Sequence, residues 1–237
     1  MNPYEKLLNR KRKWTPVQPT AGTCKEGAEE AIHRALALRH MELPVGDFIS
    51  NALTTEIPEL AREVLGSNVK DEENHDLALG YIANAYGVDQ KAEQEALRLK
   101  AAWEAHPDHT ITKALVAERA IFFVLLPFFR FNGDASMRTC SADVSRDEQI
   151  HVAVNSLVHT ELGYNISPSL DKLRKATINW VMQPLGQHTD KYLDKKFWLD
   201  SSDRLMYEGK APELAETKAA RMPAFFEHSN VNLPQYA

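Results

Sequence analysis

Cysteine is scarce in this chain, with only Cys24 and Cys140 among 237 residues. Two cysteines cannot build the disulfide framework of a secreted domain, so we expect a cytoplasmic protein. The N-terminal segment MNPYEKLLNRKRKW has no apolar stretch of the kind that a signal peptide needs. The longest apolar run, residues 120–129, has about half the length of a membrane-spanning helix. We therefore expect no membrane span.

Several common functional motifs are also missing. The chain has no Gly-x-Gly-x-x-Gly pattern and no phosphate loop, so it shows no sign of a nucleotide-binding fold. It has no convincing nucleophile triad. The net charge of −5 argues against non-specific binding to nucleic acid. The one basic stretch, residues 10–13, is interpreted as solvated surface.

Helix formers dominate what is present, and strand signals are almost absent, so the sequence predicts an all-α protein. We expect four long helices with accessory helices in a single domain, with a core at about residues 25–163 and accessory helices and a tail at 164–237. Pro44 is expected to kink or end the first helix. Thr54 or Thr55 is expected to cap the second long helix, with Pro58 in its first turn. The predicted helical segments are 25–40, 47–53, 55–86, 90–105, 110–131, 135–162 and 164–183.

Two pentads share one pattern, Asp-Glu-x-x-His. They are DEENH at residues 71–75 and DEQIH at residues 147–151. Residues i and i+3 lie on one face of a helix, so each pentad projects a carboxylate and an imidazole together. That pair of donors suits iron, manganese or zinc, but neither pair alone fills a coordination sphere.

Two further glutamates stand at a matching distance from the pentads. Glu118 lies 30 residues before Glu148, and Glu42 lies 30 residues before Glu72 (148 − 118 and 72 − 42). An antiparallel helical hairpin of that length brings such positions level. A lone glutamate and a Glu-x-x-His, each given twice, form the ligand set of dimetal carboxylate bundles. The predicted metal ligands are Glu42, Glu72, His75, Glu118, Glu148 and His151.

The lone glutamates differ in how well the sequence defines them. Glu118 lies in an apolar helix, where an ionised carboxylate is costly unless a cation compensates it. Glu42 stands near Pro44, and His40, Glu29 and Glu30 remain alternatives to it.

The aspartates of the pentads have an expected role around the ligands, because a metal-bound histidine usually donates its other ring N–H to a carboxylate. We therefore expect Asp71 and Asp147 each to serve the histidine of the opposite pentad.

These segments resemble the ferritin-like diiron-carboxylate superfamily, and ribonucleotide reductase small subunits most of all. The resemblance spans roughly residues 40–160. EENH and VGD at residues 45–47 are also similar to acyl-carrier-protein desaturases. The segments that resemble the reductase subunits are SRDEQIH at 145–151, AERAIFF at 117–123, FISN at 48–51 and IPEL at 57–60.

The resemblance implies a ferritin-like four-helix bundle that binds two metal ions and activates O2. The metals would be Fe/Fe, with Mn/Fe or Mn/Mn as alternatives. It also implies catalytic roles for Asp147 and for Trp14, as parts of a radical-transfer route. The implied partners are a large catalytic subunit or a small-molecule substrate, in a homodimer.

One position departs from the reductase pattern. The family's radical tyrosine typically follows the first histidine by four residues, where this chain has Leu79. A tyrosine-less reductase subunit therefore stays open beside a hydroxylase or desaturase acting directly on a small or acyl substrate. An iron-storage protein with ferroxidase activity is a further alternative.

Overall fold

The computed structural model describes residues 2–55 and 57–215, which form helices and loops without a β-strand. This confirms the all-α class for that part of the chain. The end of the predicted tail, residues 216–237, lies outside the described residues. The α-helices are α1 (Pro3–Leu8), α2 (Glu29–Ala37), α3 (Glu42–Ala52), α4 (Glu59–Tyr86), α5 (Gln90–Ala105), α6 (Thr110–Ala117), α7 (Phe123–Asn132), α8 (Ala135–Glu161), α9 (Pro168–Met182) and α10 (Lys195–Glu208).

Helices α3, α4, α6, α7 and α8 enclose the interior that holds the predicted ligands. Helix α3 packs against α4 and α6, α4 packs against α8, and α8 packs against α6 and α7. The short α1 lies across α4 and α8, while α9 and α10 pack on the far side against the α6–α7 column. The predicted ligands therefore come from elements that contact one another directly.

The column α6–α7 contains a turn of π-helix, Glu118–Phe122, which the sequence pattern did not predict. Turns of this kind are uncommon and occur often at functional sites. The Ala120 carbonyl within it accepts a hydrogen bond of 2.6 Å from the Ser202 hydroxyl of α10. The Arg119 side chain donates to the Leu205 carbonyl at 2.8 Å. Helix α10 thus braces the turn that carries Glu118.

The expected break at Pro44 is wrong in its position. The regular helix α2 ends at Ala37, and a 3₁₀ turn, Leu38–Met41, separates it from α3. Helix α3 begins at Glu42, so Pro44 lies in its first turn. A proline is tolerated there because the first N–H groups of a helix have no acceptor within it.

The expected capping of α4 by a threonine is also wrong. The hydroxyls of Thr54 and Thr55 both donate at 2.7 Å to carbonyls at the end of α3. Pro58 occupies the N-cap position of α4, and no side chain caps that end. Because α4 begins only at Glu59, both threonines lie at least three residues before its N-cap position and cannot occupy it.

Helix α10 lies beyond the last of the predicted helical segments, which ends at residue 183. The Asp194 side chain accepts a hydrogen bond from the Phe197 N–H and so caps its first turn. Gly209 closes its C-terminus with φ of 72°, a left-handed conformation that glycine adopts without steric cost. The capping signals are ordinary, but Ser201 and Ser202 stand between Trp198 and Met206 on its buried face, so the apolar stripe is interrupted.

Helices α4 and α8 are 28 and 27 residues long, which is enough to cross a bilayer. Both carry charged residues along their length. Among the helices that the structure describes, none has the combination of length and apolar character that crossing a membrane demands.

Candidate metal centre

The structure brings the six predicted ligands together in the interior. Their side chains are 0 to 3% exposed. Ligand atoms of Glu42, Glu72, His75 and Glu148 lie within 4.8 Å of one another, and those of Glu72, Glu118 and His151 form a second such group. Glu72 belongs to both groups, so the two groups are joined.

The two pentad glutamates each face both imidazole rings. Glu72 places Oε2 3.4 Å from His75 Nδ1 and Oε1 2.9 Å from His151 Nδ1. Glu148 places Oε1 3.4 Å from His75 Nδ1 and Oε2 3.8 Å from His151 Nδ1. Each of these two carboxylates therefore turns one oxygen toward each ring.

The two lone glutamates each approach a single ring. Glu42 Oε2 lies 3.7 Å from His75 Nδ1, and Glu118 Oε1 lies 3.7 Å from His151 Nδ1. Each lone glutamate therefore belongs to one half of the cluster. The geometry has the approximate twofold symmetry that the doubled sequence pattern predicts.

The donor atoms of this cluster are left without hydrogen bonds. The cluster atoms named below are fully shielded from solvent, and none of them has a hydrogen-bond partner among residues 2–55 and 57–215. Even the 2.9 Å contact between Glu72 and His151 does not have hydrogen-bond orientation. Buried polar atoms normally find partners, so the cluster has the chemistry of an ion site. The atoms concerned are Glu42 Oε2, both oxygens of Glu72 and Glu148, Glu118 Oε1, and Nδ1 of His75 and His151.

The pKa shifts within the cluster also indicate that most of its carboxylates lack compensating positive charge. Burial raises the pKa of Glu42, Glu118 and Glu148. Burial opposes protonation of His151, but Glu148, Asp71 and Glu72 outweigh it and raise its pKa to about 10. Burial opposes ionisation of Glu72, but His151 and His75 outweigh it and lower its pKa. Four glutamates match the charge of two divalent cations.

The aspartates of the pentads cross between the helices, as expected from the sequence. His75 Nε2 on α4 lies 3.4 Å from Asp147 Oδ2 on α8. His151 Nε2 on α8 lies 3.0 Å from Asp71 Oδ2 on α4. Each aspartate faces Nε2 of its ring and leaves Nδ1 toward the glutamates, and a carboxylate at the outer nitrogen is the usual setting of a metal-binding histidine.

Trp14 lies directly beside this arrangement. Its indole N–H donates to Asp147 Oδ2 at 2.6 Å, the same oxygen that faces His75. Its ring stacks on the His75 ring with centroids 6.1 Å apart. The sequence placed Trp14 in the site only through the family resemblance, since nothing local marked it.

The interpretation of residues 10–13 as solvated surface is wrong in part. Lys11 forms an ion pair with Asp71, and its side chain is 12% exposed. Arg12 contacts Asp143 at 3.3 Å, and Lys13 is exposed as expected. The acids of the site draw this segment inward, and sequence alone could not show which acids it would meet.

A further residue of the site was missed. Asn155 donates to Glu118 Oε2 at 2.5 Å and is fully buried. It follows His151 by four residues on α8, so it lies on the same helix face. That spacing was the available signal, but a polar residue one turn beyond a histidine is too common to single out.

The alternatives to Glu42 lie away from the cluster. His40 contacts Glu93 at 2.5 Å. Glu30 pairs with Arg34 along α2, and the Glu29 carboxylate accepts a hydrogen bond from the Gly27 N–H. Glu42, the first residue of α3, is instead buried, with 3% of its surface exposed.

A narrow apolar crevice reaches Glu42. Its free volume is about 10 Å³, roughly the room that one water molecule needs. Leu79, at the position of the family's radical tyrosine, is part of its wall. The crevice is lined by Ala35, Leu38, Arg39, Glu42, Leu79, Phe122, Leu125, Leu126 and Phe129.

No protein-family model, no curated protein and no solved structure matches this chain.

Proposed function

We propose that the protein is an oxygen-activating dimetal-carboxylate oxidoreductase with a ferritin-like arrangement of its ligand helices. The observation that carries the proposal is the joined pair of half-sites, in which Glu72 and Glu148 each face both imidazoles. The mixed oxygen and nitrogen donors suit a pair of iron ions, with iron and manganese or two manganese ions as alternatives. When bound, such a pair supplies the electrons that reduce O2 and retains oxidising equivalents.

The residues around the cluster support a reaction with a very small molecule. The crevice at Glu42 has room for about one water-sized molecule, which is too small a space for an acyl chain. Phe122 and Leu126 in its wall keep bulk water from the ligands. We therefore favour a small molecule such as O2 over an acyl chain as the molecule that enters this crevice.

A hydrogen-bonded path from the cluster toward the N-terminal segment supports electron exchange with a partner. Asp147 Oδ2 faces both His75 and Trp14, so Asp147 links the two rings. When the indole of Trp14 gives up one electron toward the site, its N–H proton has Asp147 as an adjacent acceptor. This arrangement favours a reductase small subunit that oxidises a large catalytic subunit. Leu79 makes the proposed subunit a tyrosine-less one.

Loading the protein with iron tests the proposal. Metal-free protein would receive two equivalents of ferrous iron without oxygen, followed by O2, with absorbance and electron paramagnetic resonance as the readout. We expect two iron ions per chain and an oxidation that depends on O2. Glu72→Gln is expected to abolish paired binding, whereas Glu73→Gln, its exposed neighbour, is expected to bind normally. Absence of bound iron, or equal binding by both variants, rejects the proposal.

A further inference from the structure

The segment formed by residues 11–14, here called the strap, lies across the outer side of both histidines. Lys11 pairs with Asp71 on α4, and Trp14 donates to Asp147 on α8. The Asn74 side chain reaches the Trp14 carbonyl at 3.5 Å and holds the end of the strap against α4. The strap therefore contacts both aspartates, but it offers them different donors.

Behind His75, the strap offers mainly a neutral donor. The Trp14 indole bonds to Asp147 at 2.6 Å and brings no charge. Arg12 approaches Asp147 only to 3.9 Å, is 33% exposed, and also contacts the negatively charged Asp143. Solvent and Asp143 reduce its effect, because charges screened in this way interact weakly. Asp147 keeps most of its negative charge for His75.

Behind His151, the strap offers a cation. The Lys11 ammonium bonds directly to Asp71 and lies 3.5 Å from His151 Nε2. Both partners of the ion pair are shielded, at 12 and 13% exposed, so the interaction is stronger than a surface ion pair. Lys11 neutralises the aspartate that should make the ring a better ligand. It also places a positive charge one imidazole away from a metal position.

The ligand groups differ in the same direction. Ligand atoms of four residues lie within 4.8 Å of one another on the His75 side, but those of only three do so on the His151 side. Glu148 faces both rings, but it lies 3.4 Å from His75 Nδ1 and 3.8 Å from His151 Nδ1. On the weaker side, Asn155 also occupies one oxygen of Glu118. These facts concern the inner donors, so they are independent of the charge that the strap places outside.

We propose that Lys11 makes the His151 half the weaker metal position, so that two ions bind in a fixed order. The first ion binds beside His75 and Glu42, and the second binds beside His151 and Glu118. This inference rests on the proposed dimetal function. It adds to that function a role for Lys11, which positions no substrate but sets the order in which metal ions bind to the two halves.

Titration of the metal-free full-length chain with Mn²⁺ tests the order, with free Mn²⁺ measured by electron paramagnetic resonance. We expect two classes of binding with different affinities. Glu118→Gln should remove the weaker class and leave the tighter one. Glu42→Gln should weaken the tighter class. Two ions that bind with equal affinity overturn the order while leaving the dimetal proposal intact, and absence of binding overturns both.

Substitution of Lys11 tests its role in the difference in Mn²⁺ affinity between the two classes of binding. Lys11→Met and Lys11→Gln should each raise the association constant of the weaker class by about tenfold, the lower end of the range for changes outside the ligands. Lys11→Arg, which keeps the charge, should preserve the wild-type ratio, and so should Lys13→Met at an exposed position of the strap. Glutamine retains a polar contact with Asp71 and guards against misfolding of the methionine variant. An unchanged ratio in both uncharged variants overturns the proposal.

Discussion

Asp147 lies on α8, but the ring that it orients is His75 on α4, 3.4 Å away. The equivalent aspartate of α4, Asp71, orients His151 on α8 in return. Each Asp-Glu-x-x-His pentad therefore supplies two ligands to the cluster and one orienting acid to the other pentad. Neither pentad is complete without its counterpart, so the cluster depends on the packing of α4 against α8.

This crossing predicts the effect of Asp147→Asn. The amide still accepts a hydrogen bond, but it lacks the charge that makes the His75 ring a better ligand. We expect the affinity of the His75 position for Mn²⁺ to fall by about 10- to 100-fold. Competition with a coloured chelator measures the change. Asp71→Asn should instead weaken the second class of binding. An equal loss in both classes from either variant contradicts the crossed arrangement.

The pentads were recognisable in the sequence because their information is local. A spacing of three residues fixes a shared helix face, and the spacing of 30 residues fixes the level of Glu42 and Glu118 in a hairpin. The metal-binding role of these residues stays a prediction, but their convergence needed no more than helical geometry.

The strap and the π turn could not be predicted because they involve contacts between residues that are distant in the sequence. Lys11 meets Asp71 across 60 residues of sequence, through a segment without regular structure. The π turn at Glu118 contacts α10 through the Ser202 hydroxyl, which donates to the Ala120 carbonyl, and through Arg119, which donates to the Leu205 carbonyl. Tertiary contacts decide both features, and neither has a local signature.

Protonation of the cluster predicts how the stability of the metal-free protein depends on pH. Burial raises the pKa of Glu118, and carboxylate contacts raise that of His151 to about 10. The folded state therefore binds more protons than the unfolded chain near neutral pH, so the free energy of unfolding falls as pH rises. The His151 contribution is complete below about pH 6.5, the unfolded value, and is lost as pH rises through about 10.

Urea unfolding with a chelator present, at pH 6.5 and pH 9, measures this dependence. We expect lower stability at pH 9, and a smaller difference between the two pH values in His151→Gln. Adding Mn²⁺ should reverse the trend, because a metal ion binds the deprotonated ligands. Higher stability of the metal-free protein at pH 9 would show that the cluster does not retain its protons.

Trp14→Phe separates electron transfer from metal binding. Phenylalanine keeps an aromatic ring against His75 but removes the N–H that donates to Asp147. We expect two metal ions to bind as in the wild type, and most of the rate of reduction of the oxidised protein by a one-electron donor to be lost. Stopped-flow absorbance measures that rate. Trp180→Phe, on α9, is the control and should leave it unchanged. Equal rates in all three proteins remove Trp14 from the path.

The contacts of Lys113 predict an effect on the free energy of unfolding that is independent of metal binding. Its side chain is 4% exposed, and its ammonium donates to the carbonyls of Trp103, Glu104 and His106 at 3.1 to 3.2 Å. These carbonyls belong to the end of α5 and the turn after it, so Lys113, on α6, caps the C-terminal end of α5. Lys113→Met keeps much of the volume but leaves the carbonyls without this donor.

We expect Lys113→Met to lower the free energy of unfolding by about 1 to 3 kcal/mol, the range for a buried polar group that loses its partner. The midpoint of urea unfolding, measured in chelator, gives the change. Lys100→Met on α5 is the matched control, because its exposed ion pair with Glu104 contributes less than about 1 kcal/mol. A loss confined to the Lys113 variant, with Mn²⁺ stoichiometry unchanged, assigns the effect to the end of α5. Equal stability of both variants would mean that water replaces the ammonium at these carbonyls.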